Sequence, residues 1–187
     1  MAMTTNSFIE FFQSGKKETF AVNNLKNTQK HMKSLNYSGQ VNVYTKSNLL
    51  FNLTFENGIL NGKCIKYVDY VPSTWSGTIS GYITRNWRQP EIELTMVKGV
   101  ITGQATVYNK DGTRNIILNF SEDKLNGDQK HYFSNIVRVL HTFENGVWKG
   151  QTIQYKNWLP RWNIEIDEVS SHFQINSAKD KIIKIFK

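Results

Sequence analysis

Two short runs of carboxylates are the residues best spaced for acid–base chemistry. Glu91 and Glu93, like Glu165 and Asp167, stand two positions apart, and Glu168 extends the second run. On a strand, residues i and i+2 point to one face, so each pair could set a proton donor beside an acceptor. Solvated strand faces explain both runs better. The four histidines, His31, His131, His141 and His172, are scattered. His131 and His141 could face each other from adjacent strands across the loop 132–137, and a metal there needs a third ligand such as Glu144 or Asp128. Ordinary strand histidines are the better reading. No G-x-S-x-G elbow, phosphate loop or dinucleotide fingerprint is present, so the expectation is a non-enzyme with no metal and no cofactor. One cysteine, Cys64, rules out a disulfide framework or thiolate cage within the chain.

Aromatic rings beside arginines form a different constellation. Trp158, Arg161 and Trp162 flank Pro160, while Arg85, Trp87 and Arg88 precede Pro90. Trp and Arg supply most hot-spot energy at protein interfaces, so these residues, with Trp148, are the candidate partner-binding set. The same rings could plug the open end of a sheet, and both readings stand.

Charge bears on the partner. The 187 residues carry 23 Lys plus Arg against 15 Asp plus Glu, a net charge of +8. Divided along the chain, residues 1–35 hold +3, 36–155 hold +3 and 156–187 hold +2. A nucleic-acid site gathers its cations on one face, so this even spread disfavours nucleic acid as the partner. With 39% hydrophobic residues and only 3 Pro, the chain is globular rather than disordered. No apolar run is long enough for a spanning helix and the opening residues lack a basic, then apolar leader, which predicts a cytoplasmic protein.

The elements that must position these groups are legible as a repeat. Phe55-Glu-Asn-Gly58-Ile-Leu-Asn-Gly62 recurs as Phe143-Glu-Asn-Gly146-Val-Trp-Lys-Gly150, with looser copies around Gly81, Gly103 and Gly127 and a degenerate one at Gly39. The steps between closing glycines are 23, 19, 22, 24 and 23 residues. A tyrosine follows five residues later at Tyr44, Tyr67, Tyr108, Tyr132 and Tyr155, and Trp87 takes that role one place late in the Gly81 unit. Between units, apolar residues alternate with period two, as in Leu49, Phe51, Leu53, Phe55. Alternation bounded by Asn-Gly means strand, tight turn, strand. Each closing glycine is expected to leave room for a neighbouring ring. The tyrosines then form a packing ladder, or else a ligand-binding stripe.

This spacing, Phe-x-Asn-Gly-x-Leu-x-Gly-x-x-x-x-Tyr, resembles the MORN repeat, a β-hairpin unit of about 23 residues, in its looser bacterial antitoxin-like variety. The resemblance covers roughly residues 36–155, and Ser7–Lys17 looks like another fragment. Cys64, Ala105, Gln129 and Thr152 replace the family's glycine two places after the closing one, which leaves room for a curled or partly closed sheet. The resemblance implies a protein partner, such as a toxin or defence effector, which the chain would inhibit.

The expectation is therefore mainly all-β: an antiparallel meander of MORN-like hairpins with short terminal helices as caps. Residues 1–35 form an N-terminal cap with a weak helix over 20–35, 36–160 the repeat sheet, and 161–187 a C-terminal strand and basic tail. In the tail, Ser177 could cap a short basic amphipathic helix, or KIIKIFK could close the sheet as a strand. The favoured function is a non-catalytic protein-interaction module. One alternative is weak binding of an anionic membrane through the tail. Another is a small-ligand barrel or enzyme using Gln129, His131, Thr152 and Gln154. Edge strands would permit a homodimer.

Overall fold

Five reversals of the chain are each made by a pair of consecutive residues with positive φ. The pairs are Ser14/Gly15, Asn57/Gly58, Lys98/Gly99, Glu122/Asp123 and Asn145/Gly146, with φ between 50° and 83°. Two consecutive left-handed residues define a type I′ turn, whose twist matches that of the strands it joins. The alternating segments between the turns become the strands. The computed structural model describes residues 7–46, 48–69, 88–133, 136–154 and 168–187.

The strands are β1 (Ser7–Gln13), β2 (Lys16–Ala21), β3 (Gly39–Thr45), β4 (Asn48–Glu56), β5 (Ile59–Asp69), β6 (Arg88–Val97), β7 (Val100–Ile101), β8 (Gly103–Tyr108), β9 (Arg114–Ser121), β10 (Lys124–Leu125), β11 (Gly127–Phe133), β12 (Ile136–Glu144) and β13 (Val147–Gln154). Helix α1 is Leu25–Ser34 and α2 is Glu168–Phe186. All strands join one antiparallel sheet in the order β13-β12-β11-β9-β8-β6-β5-β4-β3-β1-β2, with β7 on β6 and β10 on β9. The all-β meander with helical caps is what the repeat predicts. The sheet is curled but open, with β2 and β13 at its edges.

Three features differ from the sequence expectation. The sheet begins before residue 36, because β1 pairs with β3 from Ser7↔Thr45 to Phe11↔Val41. Thus β1 and β2 form the first hairpin, and β3, reached through α1, pairs on the other side of β1. Second, β5 pairs directly with β6, from Gly62↔Met96 to Asp69↔Arg88. The Gly81 unit is therefore not a rung between them, and residues 70–87 are an insertion in the β5–β6 connection. Third, the tail helix starts at Glu168, so Ser177 lies inside it rather than capping it.

Ring packing accounts for Gly39, where a Cβ would run into the Tyr37 ring, but not for the other described closing glycines. A Cβ at Gly103 or Gly127 would meet nothing within 4 Å, so no ring lies there. Their φ values are 74° and 80°, and this left-handed conformation is what calls for glycine. The tyrosines mark bulges. The register slips at Val43/Tyr44, Lys66/Tyr67, Val107/Tyr108 and His131/Tyr132, leaving Leu50, Glu91, Asn115 and Arg138 as the extra residues on the neighbouring strands. These four tyrosines are half-buried, and Tyr44 stacks on Phe8 with ring centroids 5.1 Å apart.

The core lies on the face covered by the helices. Two places after the closing glycines, Val41, Cys64, Ala105 and Gln129 are fully buried, where a small or fitted side chain suits the packed interior. Helix α1 adds Leu25 and Met32, and α2 adds Ile175, Ala178, Ile182 and Phe186, a stripe with helical period. The two helices meet where Gln29 Nε2 donates to the Phe186 carbonyl at 3.2 Å. Phe186 in turn packs edge-on against Phe51. No described helix is long and apolar enough to cross a membrane.

Candidate functional site

Of the candidate partner-binding residues, Arg88 and Trp148 lie within the described structure. Arg85, Trp87, Trp158, Arg161 and Trp162 lie outside the described residues, as do the repeat positions Gly81 and Tyr155. Arg88 opens β6 and Trp148 sits on β13, with β8, β9, β11 and β12 between those strands. The fold therefore does not bring the two together.

Trp148 belongs to an aromatic cluster under the N-terminal half of α2. Its ring centroid is 4.9 Å from that of His172 and 6.1 Å from that of His141, and His172 stacks on Phe143 at 5.8 Å. His172 Nε2 is 2.7 Å from the amide of Asn176 one helical turn on. His141 stands opposite Gln129, and His131 opposite Val139, so the two strand histidines do not face each other. No cluster of metal-binding side chains occurs among the described residues. Trp148 is still 38% exposed, next to Val147 at 61%, and Phe173 beside His172 is 71% exposed. The β13 edge thus presents apolar surface next to backbone groups that no described strand pairs.

The polar residues expected inside a barrel have structural partners or lie at a cleft. Gln129 Oε1 accepts the Asn119 N–H at 2.6 Å, and its Nε2 donates to the Gly127 carbonyl at 2.9 Å. These bonds satisfy a buried amide where β9 and β11 diverge. His131, with Asp111, Asn115, Tyr132, Ser177 and Phe173, lines a cleft of about 890 Å³ beside α2. Its Nδ1 is buried with no partner among the described residues, and burial lowers its pKa below 6.5. The side chains of Thr152 and Gln154 lie outside the described residues. Glu91 and Glu93 do not act as a pair: Glu93 binds Lys63 at 2.7 Å, whereas the bulge turns Glu91 towards Lys66 and Lys181.

A second cleft, of about 670 Å³, lies between α1, the end of α2 and the start of β4. Leu25, Leu50, Phe51, Ile185 and Phe186 form its apolar floor. Six cations line it: Lys26 from the first turn of α1, Lys46 from the β3–β4 turn, Lys66 from β5, Arg88 from β6, Lys184 from α2 and Lys187 just after it. No Asp or Glu is among its lining residues. Lys66 is almost fully buried and ion-paired with Glu91, and burial together with Lys181 lowers its pKa to about 8. Lys187 pairs with Asp123 at 2.8 Å, and Arg88 donates to the Leu49 carbonyl. Among the described residues, Lys26, Lys46 and Lys184 have no carboxylate partner. A neighbouring depression of about 460 Å³ extends the positive surface with Lys30 and Lys33.

Folding thus brings six cations that are spread along the sequence to one cleft. The repeat register gives no sign of this, because the lysines arrive from four separate segments. The one available signal was the interval between Lys26, Lys46 and Lys66, which is close to the repeat length. Neither a family model, a curated protein nor a solved structure matches this chain.

Proposed function

We propose that the protein is a non-catalytic interaction module that binds a protein partner at the β13 edge, in the cytoplasm. The observation that carries this reading is the exposure of Val147 and Trp148 on an edge strand. An unpaired edge accepts an incoming strand through main-chain hydrogen bonds, and a half-buried tryptophan supplies a specific anchor. The inner face of the sheet offers no comparable surface, since α1 and α2 cover it with their apolar stripes. The same burial weakens the case for membrane attachment, because Ile175, Ile182 and Phe186 face the sheet rather than a bilayer. The MORN-like repeat spacing supports a toxin or defence effector as the partner class.

The test is affinity capture from the native host's lysate at moderate salt, with wild type and Val147→Lys compared. Val147 is mostly exposed, so a lysine there leaves the fold intact and blocks strand addition. One stoichiometric protein captured by wild type and lost from the variant supports the reading. Capture unchanged by the substitution, or a homodimer through this edge that explains all binding, overturns it.

A further inference from the structure

We infer that the cleft between α1, α2 and β4 is a binding site for a small phosphate ester carrying an apolar body. Three observations converge on this ligand. First, Lys26, Lys46 and Lys184 project their charges at one cleft without carboxylate partners among the described residues. Charges that repel one another at close range persist at lower cost when an anion joins them, and lysine binds phosphate as a point charge. Second, Leu25, Leu50 and Ile185 line the same cleft, so one end of a ligand meets ammonium groups and the other meets hydrocarbon. Third, about 670 Å³ lies within the range of small-molecule sites.

The segment that runs up to Arg88 does not supply the missing charge. Residues 70–87 contain no Asp or Glu. The two acids that reach the cleft's cations are committed: Glu91 to Lys66 and Lys181, and Asp123 to Lys187. A bound dianion therefore faces a surplus of positive charge. A long nucleic acid would track an open groove and stack its bases on exposed aromatic rings. Here the rings nearest the cations, Phe51 and Phe186, are buried, which favours a small ligand.

The probe is 1-naphthyl phosphate, titrated by calorimetry at low and moderate salt beside inorganic phosphate, 1-naphthol and a single-stranded octanucleotide. The expected result is saturable binding of 1-naphthyl phosphate, at least about tenfold tighter than either phosphate or 1-naphthol, because the cleft uses both parts of the molecule. Lys26→Glu combined with Lys184→Glu should weaken it at least about tenfold, since each lost charged contact is worth a large factor in affinity. Glu at position 26 lies in the first turn of α1, where a negative charge suits the helix, so the fold should survive. Lys110→Glu combined with Lys149→Glu, both outside the cleft, is the control of equal net charge and should bind like wild type. Three results each overturn the inference: no saturable binding, equal weakening by the control, or tighter binding of the octanucleotide than of 1-naphthyl phosphate.

Discussion

Asn61 Oδ1 accepts the backbone N–H of Lys98 at 3.0 Å, joining the end of one hairpin to the turn of the next across the insertion at 70–87. The bond recurs down the sheet. Ser38 Oγ takes the N–H of Asn57 at 2.9 Å, and Asn126 Oδ1 takes that of Asn145 at 3.1 Å. The residue before a closing glycine therefore satisfies the first N–H of the following turn. The second turn N–H is held by a backbone carbonyl of the preceding unit: Gly58 by Tyr37, Gly99 by Leu60, Asp123 by Ile101 and Gly146 by Leu125. These links explain why Asn precedes Gly62 and Gly127. They also show that the hairpin beginning at Arg88 follows directly on the one ending at Asp69.

Gly58 and Gly127 separate two costs of replacing glycine. Both have positive φ, but a Cβ at Gly58 would lie 2.5 Å from Lys33 Cα and 2.9 Å from the Met32 carbonyl of α1, whereas Gly127 faces open space. Gly127→Ala should cost about 1 kcal/mol, the penalty of a left-handed alanine. Gly58→Ala should cost roughly 3 kcal/mol or more, because helix backbone must move. Denaturant midpoints of the two variants measure the difference, and equal costs would mean that α1 does not press on this turn.

Lys66 and Glu91 are a buried pair, with side chains 6% and 14% exposed. Removing one charge strands the other, so Glu91→Gln should destabilise the protein by about 3 kcal/mol. Replacing both, as Lys66→Met with Glu91→Leu, should recover most of that loss. Urea titration of the single and double variants distinguishes a pair required for stability from one that hydrocarbon can replace.

His131 ties stability to mildly acidic pH. Burial holds its pKa below 6.5, so the unfolded chain binds this proton more readily than the folded one. Between the lowered value and 6.5, stability must therefore rise with pH, and acidification through this window must reduce it. The stability of His131→Leu should fall less than that of wild type as pH drops below 6.5. Parallel pH profiles for the two proteins would show that His131 does not contribute.

Local chemistry made the meander legible from sequence. Period-two alternation fixes which side chains share a face, and Asn-Gly pairs adopt the positive φ of type I′ turns with little help from the rest of the chain. The tail was ambiguous for the converse reason. Apolar residues at 182, 183 and 186 suit either element, and only burial of Ile175, Ala178, Ile182 and Phe186 in one stripe against the sheet selects the helix.

What the sequence alone determined was the repeat, its strands and its turns, because these depend on residues close in the chain. The direct pairing of β5 with β6 marks the limit of that reading, since spacing does not reveal which strands pair. Tertiary structure alone decided where the charges meet. Lys26, Lys46, Arg88 and Lys184 are far apart in sequence and come from a helix, a turn, a strand and a second helix. Their convergence on one cleft depends on α2 crossing the sheet to meet α1, a contact made by Gln29 and Phe186. Electrostatic energy depends on distance in space, and composition divided along the chain contains no such distance.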